Sequence, residues 1–191
     1  MRMEKLLVLA SSLTCLTVGN AVAGEIENLR TDCNDESARS CVLLAFRYDN
    51  GEGPNQTDEE IASLFRKGCD GEDAIGCTML GAMYENGRGV TASETEAIRL
   101  YDQGCRNGYS IACTVLGQKY EAGRGIDVDY VQSNFYFLLA CDDGEADACV
   151  SLGNHYDEGL GLDQNSDVAF QLYQLSCELG AQDVCDALQG N

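Results

Sequence analysis

The sequence predicts an all-α protein: an α/α solenoid of four helix–turn–helix repeats, with a disulfide stapling each joint. Three observations lead there. The cysteines form five pairs, Cys33 with Cys41, Cys69 with Cys77, Cys105 with Cys113, Cys141 with Cys149 and Cys177 with Cys185; the spacing is eight within a pair, and the pairs recur every 36 residues. A fixed period of that length marks a repeat architecture. After the second cysteine of each pair, apolar residues follow a helical spacing up to a Gly-x-Gly. After that stop, a good helix-capping residue opens a second amphipathic run.

Taken in order, the chain of 191 residues opens on an export signal, residues 1–23. Arg2 and Lys5 form a positive start, Leu6 to Val18 are mostly apolar, and Ala21-Val22-Ala23 offers a cleavage site before Gly24. The apolar run is short of the ~20 residues that a membrane span needs, and Ser12-Leu13-Thr14 fits a lipoprotein motif around Cys15 poorly. The expected location is periplasmic or secreted. The mature chain, 24–191, then reads as one solenoid. Its cap is a short helix over 25–33, the repeats cover 38–69, 74–105, 110–141 and 146–177, and a closing helix covers 181–189.

The first helix of each repeat, helix A, follows from one alignment. Counting from the second cysteine, Leu44, Leu80, Leu116 and Leu152 stand at +3 and Tyr48, Tyr84, Tyr120 and Tyr156 at +7, on one helical face with the cysteine. Ala45, Gly81, Gly117 and Gly153 stand at +4. Glycine weakens a helix, so small residues there predict close contact with another backbone. The Gly-x-Gly (Gly87 and Gly89, for example) is a helix stop. The second helix, helix B, starts at Thr57, Ser93, Asp129 and Asn165, with a Ser/Thr-x-x-Glu capping box predicted for Thr57 with Glu60 and Ser93 with Glu96. Phe65, Tyr101, Phe137 and Tyr173 share its aromatic slot.

The formal net charge is −20. Removing residues 1–23 leaves 10 basic and 31 acidic residues. Such a surface repels nucleic acid and anionic membranes, keeps the chain soluble and favours basic partners. The mature chain has ten cysteines, an even number in an exported protein, which argues for disulfides. Eight residues of continuous helix would separate two Cα atoms by ~12 Å, against about 4.4–6.8 Å across a disulfide. If Cys69 and Cys77 bond, the chain must reverse between them, and Gly71-Glu72-Asp73 supplies a turn. Each such loop contributes about 2.5 kcal/mol in the chain-entropy model. Zinc prefers closer Cys/His pairs, and the chain has one histidine; a thiol–disulfide enzyme would want Cys-x-x-Cys, which does not occur. No metal or cofactor is expected.

Tyr84-Glu-Asn-Gly87-Arg-Gly89-Val90 and Tyr120-Glu-Ala-Gly123-Arg-Gly125-Ile126 resemble the Sel1-like repeat, a relative of the tetratricopeptide (TPR) repeat. The 36-residue period with cysteines eight apart resembles, more narrowly, the secreted Helicobacter cysteine-rich proteins. The resemblance covers nearly all of residues 25–191. Repeat one departs at Ala45, and repeat four at Leu160 and Leu162. It implies a right-handed superhelix with helix A lining a concave face, and an interaction scaffold that binds peptides or proteins. Some members of the cysteine-rich family are described as penicillin-binding proteins with slow β-lactamase activity.

Two functions are therefore open. For a binding module, the helix A slots turned away from the Leu/Tyr stripe are +5, +6 and +9: Phe46, Arg47 and Asn50; Ala82, Met83 and Asn86; Gln118, Lys119 and Ala122; Asn154, His155 and Glu158. Amides would meet a peptide backbone, Phe46 and Met83 an apolar side chain, and Arg47 and Lys119 a carboxylate. The partner is a protein or peptide, favouring a basic one, and the chain itself is expected to be a monomer. For a β-lactamase, Ser-x-x-Lys, Ser-Asp-Asn and Lys-Thr-Gly would be needed, and none occurs. Ser63 precedes Arg66 at the required distance, and arginine is no base at ordinary pH. No catalytic residue is assigned.

Overall fold

The computed structural model of the chain describes residues 22–190. The export signal read over 1–23 falls outside the described residues except for Val22 and Ala23, which are helical. The described chain is helical: α1 (residues 22–34), α2 (Ala38–Asp49), α3 (Asp58–Asp70), α4 (Ala74–Asn86), α5 (Glu94–Arg106), α6 (Ser110–Ala122), α7 (Tyr130–Asp142), α8 (Ala146–Glu158), α9 (Ser166–Glu178) and α10 (Gln182–Leu188). Each helix packs mainly on the ones before and after it, as in a solenoid. The even-numbered helices from α2 to α8 are helix A of the four repeats; the odd-numbered ones from α3 to α9 are helix B.

Local chemistry starts and stops these helices. Thr57 makes the full reciprocal capping box, accepting from the Glu60 amide while the Glu60 carboxylate accepts from the Thr57 amide. Ser93 accepts from the Glu96 amide, but the Glu96 carboxylate turns to Arg99 instead, so this box is one-sided. Asp129 and Asn165 each accept from two amides of the first turn. Helix A ends on a left-handed glycine at Gly87, Gly123 and Gly159, with φ of 64°, 66° and 73°.

The second glycine of the Gly-x-Gly has a different task, which the reading as a helix stop did not include. A β-carbon on Gly89 would overlap the backbone carbonyl of Asp58, the first residue of α3 in the preceding repeat. Gly125 and Gly161 lie in the same way on Glu94 and Tyr130, the first residues of α5 and α7. The turn of one repeat thus rests on the helix B start of the one before.

The small residue at +4 also has a different neighbour from the one expected. It meets an aromatic ring of its own repeat's helix B more closely than any backbone. A β-carbon on Gly81, Gly117 or Gly153 would come within 3.0, 2.5 and 2.7 Å of Tyr101, Phe137 and Tyr173. The aromatic slot of helix B therefore fills the groove that these small residues leave in helix A.

All five cysteine pairs are bonded: Cys33 to Cys41, Cys69 to Cys77, Cys105 to Cys113, Cys141 to Cys149 and Cys177 to Cys185, with Cα–Cα separations of 4.3–4.9 Å. Each bond spans the end of one helix and the first turn of the next. Cys41, Cys77, Cys113, Cys149 and Cys185 are the members on that first turn, and all five are buried. The reversal between the two cysteines of a pair is made by a residue of positive φ at one recurring slot: Glu36, Glu72, Gly108, Gly144 and Gly180. Their partners at the preceding helix ends are buried too, apart from the half-buried Cys177. Four of the five cystines join the leucines of helix A in two buried clusters, one mainly over the first two repeats and one mainly over the last two. Buried disulfides at every joint are the chemistry of an oxidising compartment. Among the described residues no helix is long and apolar enough to cross a membrane.

Candidate functional site

The helix A row places its three outward slots differently. At +9, Asn50, Asn86, Ala122 and Glu158 are exposed. At +5, Gln118 and Asn154 are exposed, while Phe46 and Ala82 are half-buried, Phe46 packing edge-on against Phe65. The +6 side chains turn into the joint with the preceding repeat: Met83, Lys119 and His155 are buried and Arg47 is half-buried. The cations expected to meet a ligand carboxylate are already engaged.

Lys119 Nζ lies 2.5 Å from Glu85 Oε1 and 2.8 Å from Glu94 Oε2, and the Tyr101 hydroxyl donates to Glu85 Oε2 at 2.8 Å. Burial alone would raise the Glu85 carboxyl. The hydrogen bonds from Lys119 and Tyr101 outweigh burial and hold it below the usual carboxylate range. Tyr101 moves the other way, raised by burial and then by its bond to Glu85. One joint earlier the +6 residue is Met83, and Arg88 takes over the cationic role, pairing with Asp49 and Asp58. Arg47 is held by Glu25 and Glu52 at 2.5 and 2.8 Å.

The last joint carries His155 in the lysine's place. Asn134 Nδ2 donates to the Leu160 carbonyl at 2.7 Å, which turns its Oδ1 toward His155 Nδ1 at 2.6 Å, so Nδ1 carries a proton. The other ring nitrogen, Nε2, faces Glu121 Oε1 at 3.6 Å and has no hydrogen-bond partner. Phe137 and Tyr130 close the ring edge-on.

This arrangement had a signal in the sequence. Asp49, Glu85, Glu121 and Asp157 place an acid at +8 in all four repeats. Arg88 supplies a cation to Asp49 and Lys119 one to Glu85, while Glu121 faces the His155 ring and Asp157 accepts from the Tyr173 hydroxyl.

Two hollows open on the helix A row. One, about 510 Å³, lies between α4 and α6 and is lined by Glu85, Gln118, Glu121 and Arg124 with Tyr101. The other, about 530 Å³, crosses α6, α8 and the start of α10 and is lined by Gln118, Asp147, Ser151 and Gln182. They adjoin at Gln118. As for hydrolysis, Ser110 donates to Glu145 at 2.6 Å, while Ser133 and Ser176 donate to backbone carbonyls. The Lys119 ammonium is enclosed by the carboxylates of Glu85 and Glu94 and contacts no serine hydroxyl among the described residues. Among the described residues no group of His, Cys, Asp and Glu is arranged to hold a metal ion.

Comparison with known proteins agrees with the repeat. The family model described as Sel1 repeat matches residues 74–109, 110–145 and 146–180. No curated protein sequence matches the chain. Among solved structures, a protective antigen of uropathogenic Escherichia coli displaying an SLR fold is 27% identical with a TM-score of 0.80, over 85% of this chain and 35% of its own. A Sel1 repeat protein of Oxalobacter formigenes is 24% identical with a TM-score of 0.79, over 85% of this chain and 66% of its own. Cysteine-rich protein B of Helicobacter pylori is 26% identical with a TM-score of 0.56, over 69% of this chain and 95% of its own. The chain therefore spans about a third of the first of these and just under two thirds of the second.

Proposed function

Because the chain belongs to the Sel1 repeat family, we propose that it is an exported, disulfide-stapled scaffold that binds an extended protein segment along its helix A face. The observation that carries this reading is the pair of adjoining hollows that share Gln118 and cross four helices of the row. An extended segment would place backbone amides against Gln118 and Asn154 and basic side chains against Glu121, Asp147 and Asp183. The +6 residues hold the joints behind this surface and set its curvature. Export is supported by the charged, apolar and small-residue pattern of residues 1–23 and by five disulfides. Slow β-lactam hydrolysis, which resemblance to the cysteine-rich proteins brings to mind, draws no support from the serine and lysine contacts.

The test uses the oxidised full chain on an array of extended peptides rich in Lys, Arg, Asn and Gln. Peptides that bind should lose at least about tenfold in affinity to Gln118→Arg and Asp147→Arg variants. Undiminished binding by both variants would move the site off this face. Turnover of nitrocefin at enzymatic rates would overturn the scaffold-only reading.

A further inference from the structure

One groove recurs along the helix B side of the array, and its lining changes from joint to joint. Its floor is the leucine and tyrosine of helix A: Leu44 and Tyr48, then Leu116 and Tyr120, then Leu152 and Tyr156. In the groove between α1 and α3 the walls carry Arg30 and Glu60, and Arg30 donates to the Tyr48 hydroxyl at 2.7 Å. Along α5 they carry Thr95, Arg99 and Asp102. Between α7 and α9 the matching positions are Val131, Phe135 and Leu138, with Val168 in the place of Glu60, around a hollow of about 350 Å³.

These apolar side chains are not there to hold the fold. Val131, Phe135 and Leu138 are 60%, 50% and 55% exposed. Thr95, Arg99 and Asp102 occupy the same slots one repeat earlier, and Glu59, Ser63 and Arg66 one repeat before that. The same fold thus forms with polar residues at these positions. Where Arg30 and Arg66 cover the floor tyrosines Tyr48 and Tyr84, the third repeat has Leu138.

The charge around the groove has one sign. From residue 125 to 191 the sequence contains no lysine or arginine and 13 acidic residues. Asp127 and Asp129 stand exposed at the start of α7, Asp142 and Asp143 at its end, and Asp163 and Asp167 at the start of α9. An apolar groove with acids at both ends complements an apolar stripe flanked by cations. A second copy would bring the same acidic rim to this one, and an anionic bilayer would be repelled.

We propose that the groove between α7 and α9 is the docking site for a cationic amphipathic helix of a partner protein. Its apolar face lies on Phe135, Leu138 and Val168, and its lysines and arginines reach the aspartates at the two ends. Helix α7 has 13 residues, about 20 Å, so the ligand helix spans three to four turns. This site is on the helix B side and does not depend on the helix A reading.

The probe is a labelled Leu/Lys peptide of about 15 residues with leucines at i, i+3, i+4 and i+7, titrated into the oxidised full chain by fluorescence anisotropy. It should bind at least about tenfold more tightly than a scrambled peptide of the same composition. It should also lose at least about tenfold in affinity to a Phe135→Arg, Leu138→Asp variant, and none to Gln118→Arg. The double substitution installs the residues that Arg99 and Asp102 already supply at these slots, and circular dichroism checks its fold. On the wild-type chain, amide shifts on titration should centre on 131–138 and 168–172, which tests the site without any variant. Equal binding of the scrambled peptide, unchanged affinity in the folded double variant, no binding, or shifts elsewhere would overturn the proposal. So would a wild-type dimer, seen by sedimentation, that the double variant dissociates.

Discussion

Gly117 lies so close to Phe137 that a β-carbon built on it would come within 2.5 Å of the ring. Phe137 is fully buried and cannot withdraw into solvent. Gly117→Ala should therefore destabilise the array by about 1–2 kcal/mol, after allowing for the better helix propensity of alanine. Gly81→Ala, with 3.0 Å to Tyr101, should be nearly neutral, since Ala45 already holds this slot in repeat one. Urea unfolding of the two variants checks the order.

Gly89 tests the contact between repeats. Its φ is 65°, and a β-carbon would strike the backbone of Asp58. Gly89→Ala should cost about 2 kcal/mol or more, because neither backbone can yield cheaply. Gly108 has a φ of 89° with nothing within 4 Å of a β-carbon. Gly108→Ala should cost only its backbone strain, about 1 kcal/mol. Thermal or denaturant melts that give equal losses would contradict the packing role assigned to Gly89.

Glu36 and Glu72 hold left-handed backbone, φ 68° and 63°, where the later joints have glycine. Substituting both by glycine removes that strain but adds freedom to the unfolded chain. The net effect should be stabilising, about 0.5–1 kcal/mol for the pair, read as a higher denaturant midpoint at unchanged slope.

The buried Lys119 couples stability to acid. Glu85 titrates below the usual carboxylate range in the fold, so its contribution is complete above the unfolded glutamate value and is lost as pH falls through the lower folded one. Lys119→Met, copying Met83, leaves Glu85 and Glu94 without their cation and should cost about 1–2 kcal/mol at neutral pH. It should also flatten the loss of stability as pH falls below the unfolded glutamate value, because the Lys119 hydrogen bond that helps to lower Glu85 is gone. Unfolding curves across that range decide it; a variant with an undiminished acid limb would show that Lys119 is not the cause.

The period, the caps and the cysteine pairs were legible because each is a local or strictly repeated pattern. Thr57, Ser93, Asp129 and Asn165 cap α3, α5, α7 and α9. Cys41, Cys113, Cys149 and Cys185 bond the cysteine eight residues before them, as Cys77 does, so the repeated spacing, the turn residues between and the even cysteine count together carried the pairing. The outward slots of helix A were legible only in part. A helical wheel showed +5, +6 and +9 on one side, but it could not show +6 turning into the joint with the preceding repeat, where Met83, Lys119 and His155 are buried. The aromatic partner of the +4 glycines was missed for a like reason, since Gly117 and Phe137 lie 20 residues apart and meet only when helix B folds back.

The repeat, its helices and the chemistry of its joints are written in the sequence, because spacing and capping act over a few residues and recur at a fixed interval. Which side chains face out was left to the tertiary structure. Stacking one repeat on another turned Lys119 from a ligand contact into a structural ion pair, and it set Phe135 and Leu138 in an open groove. Burial is a property of neighbours, and in a solenoid the deciding neighbour is the adjacent repeat.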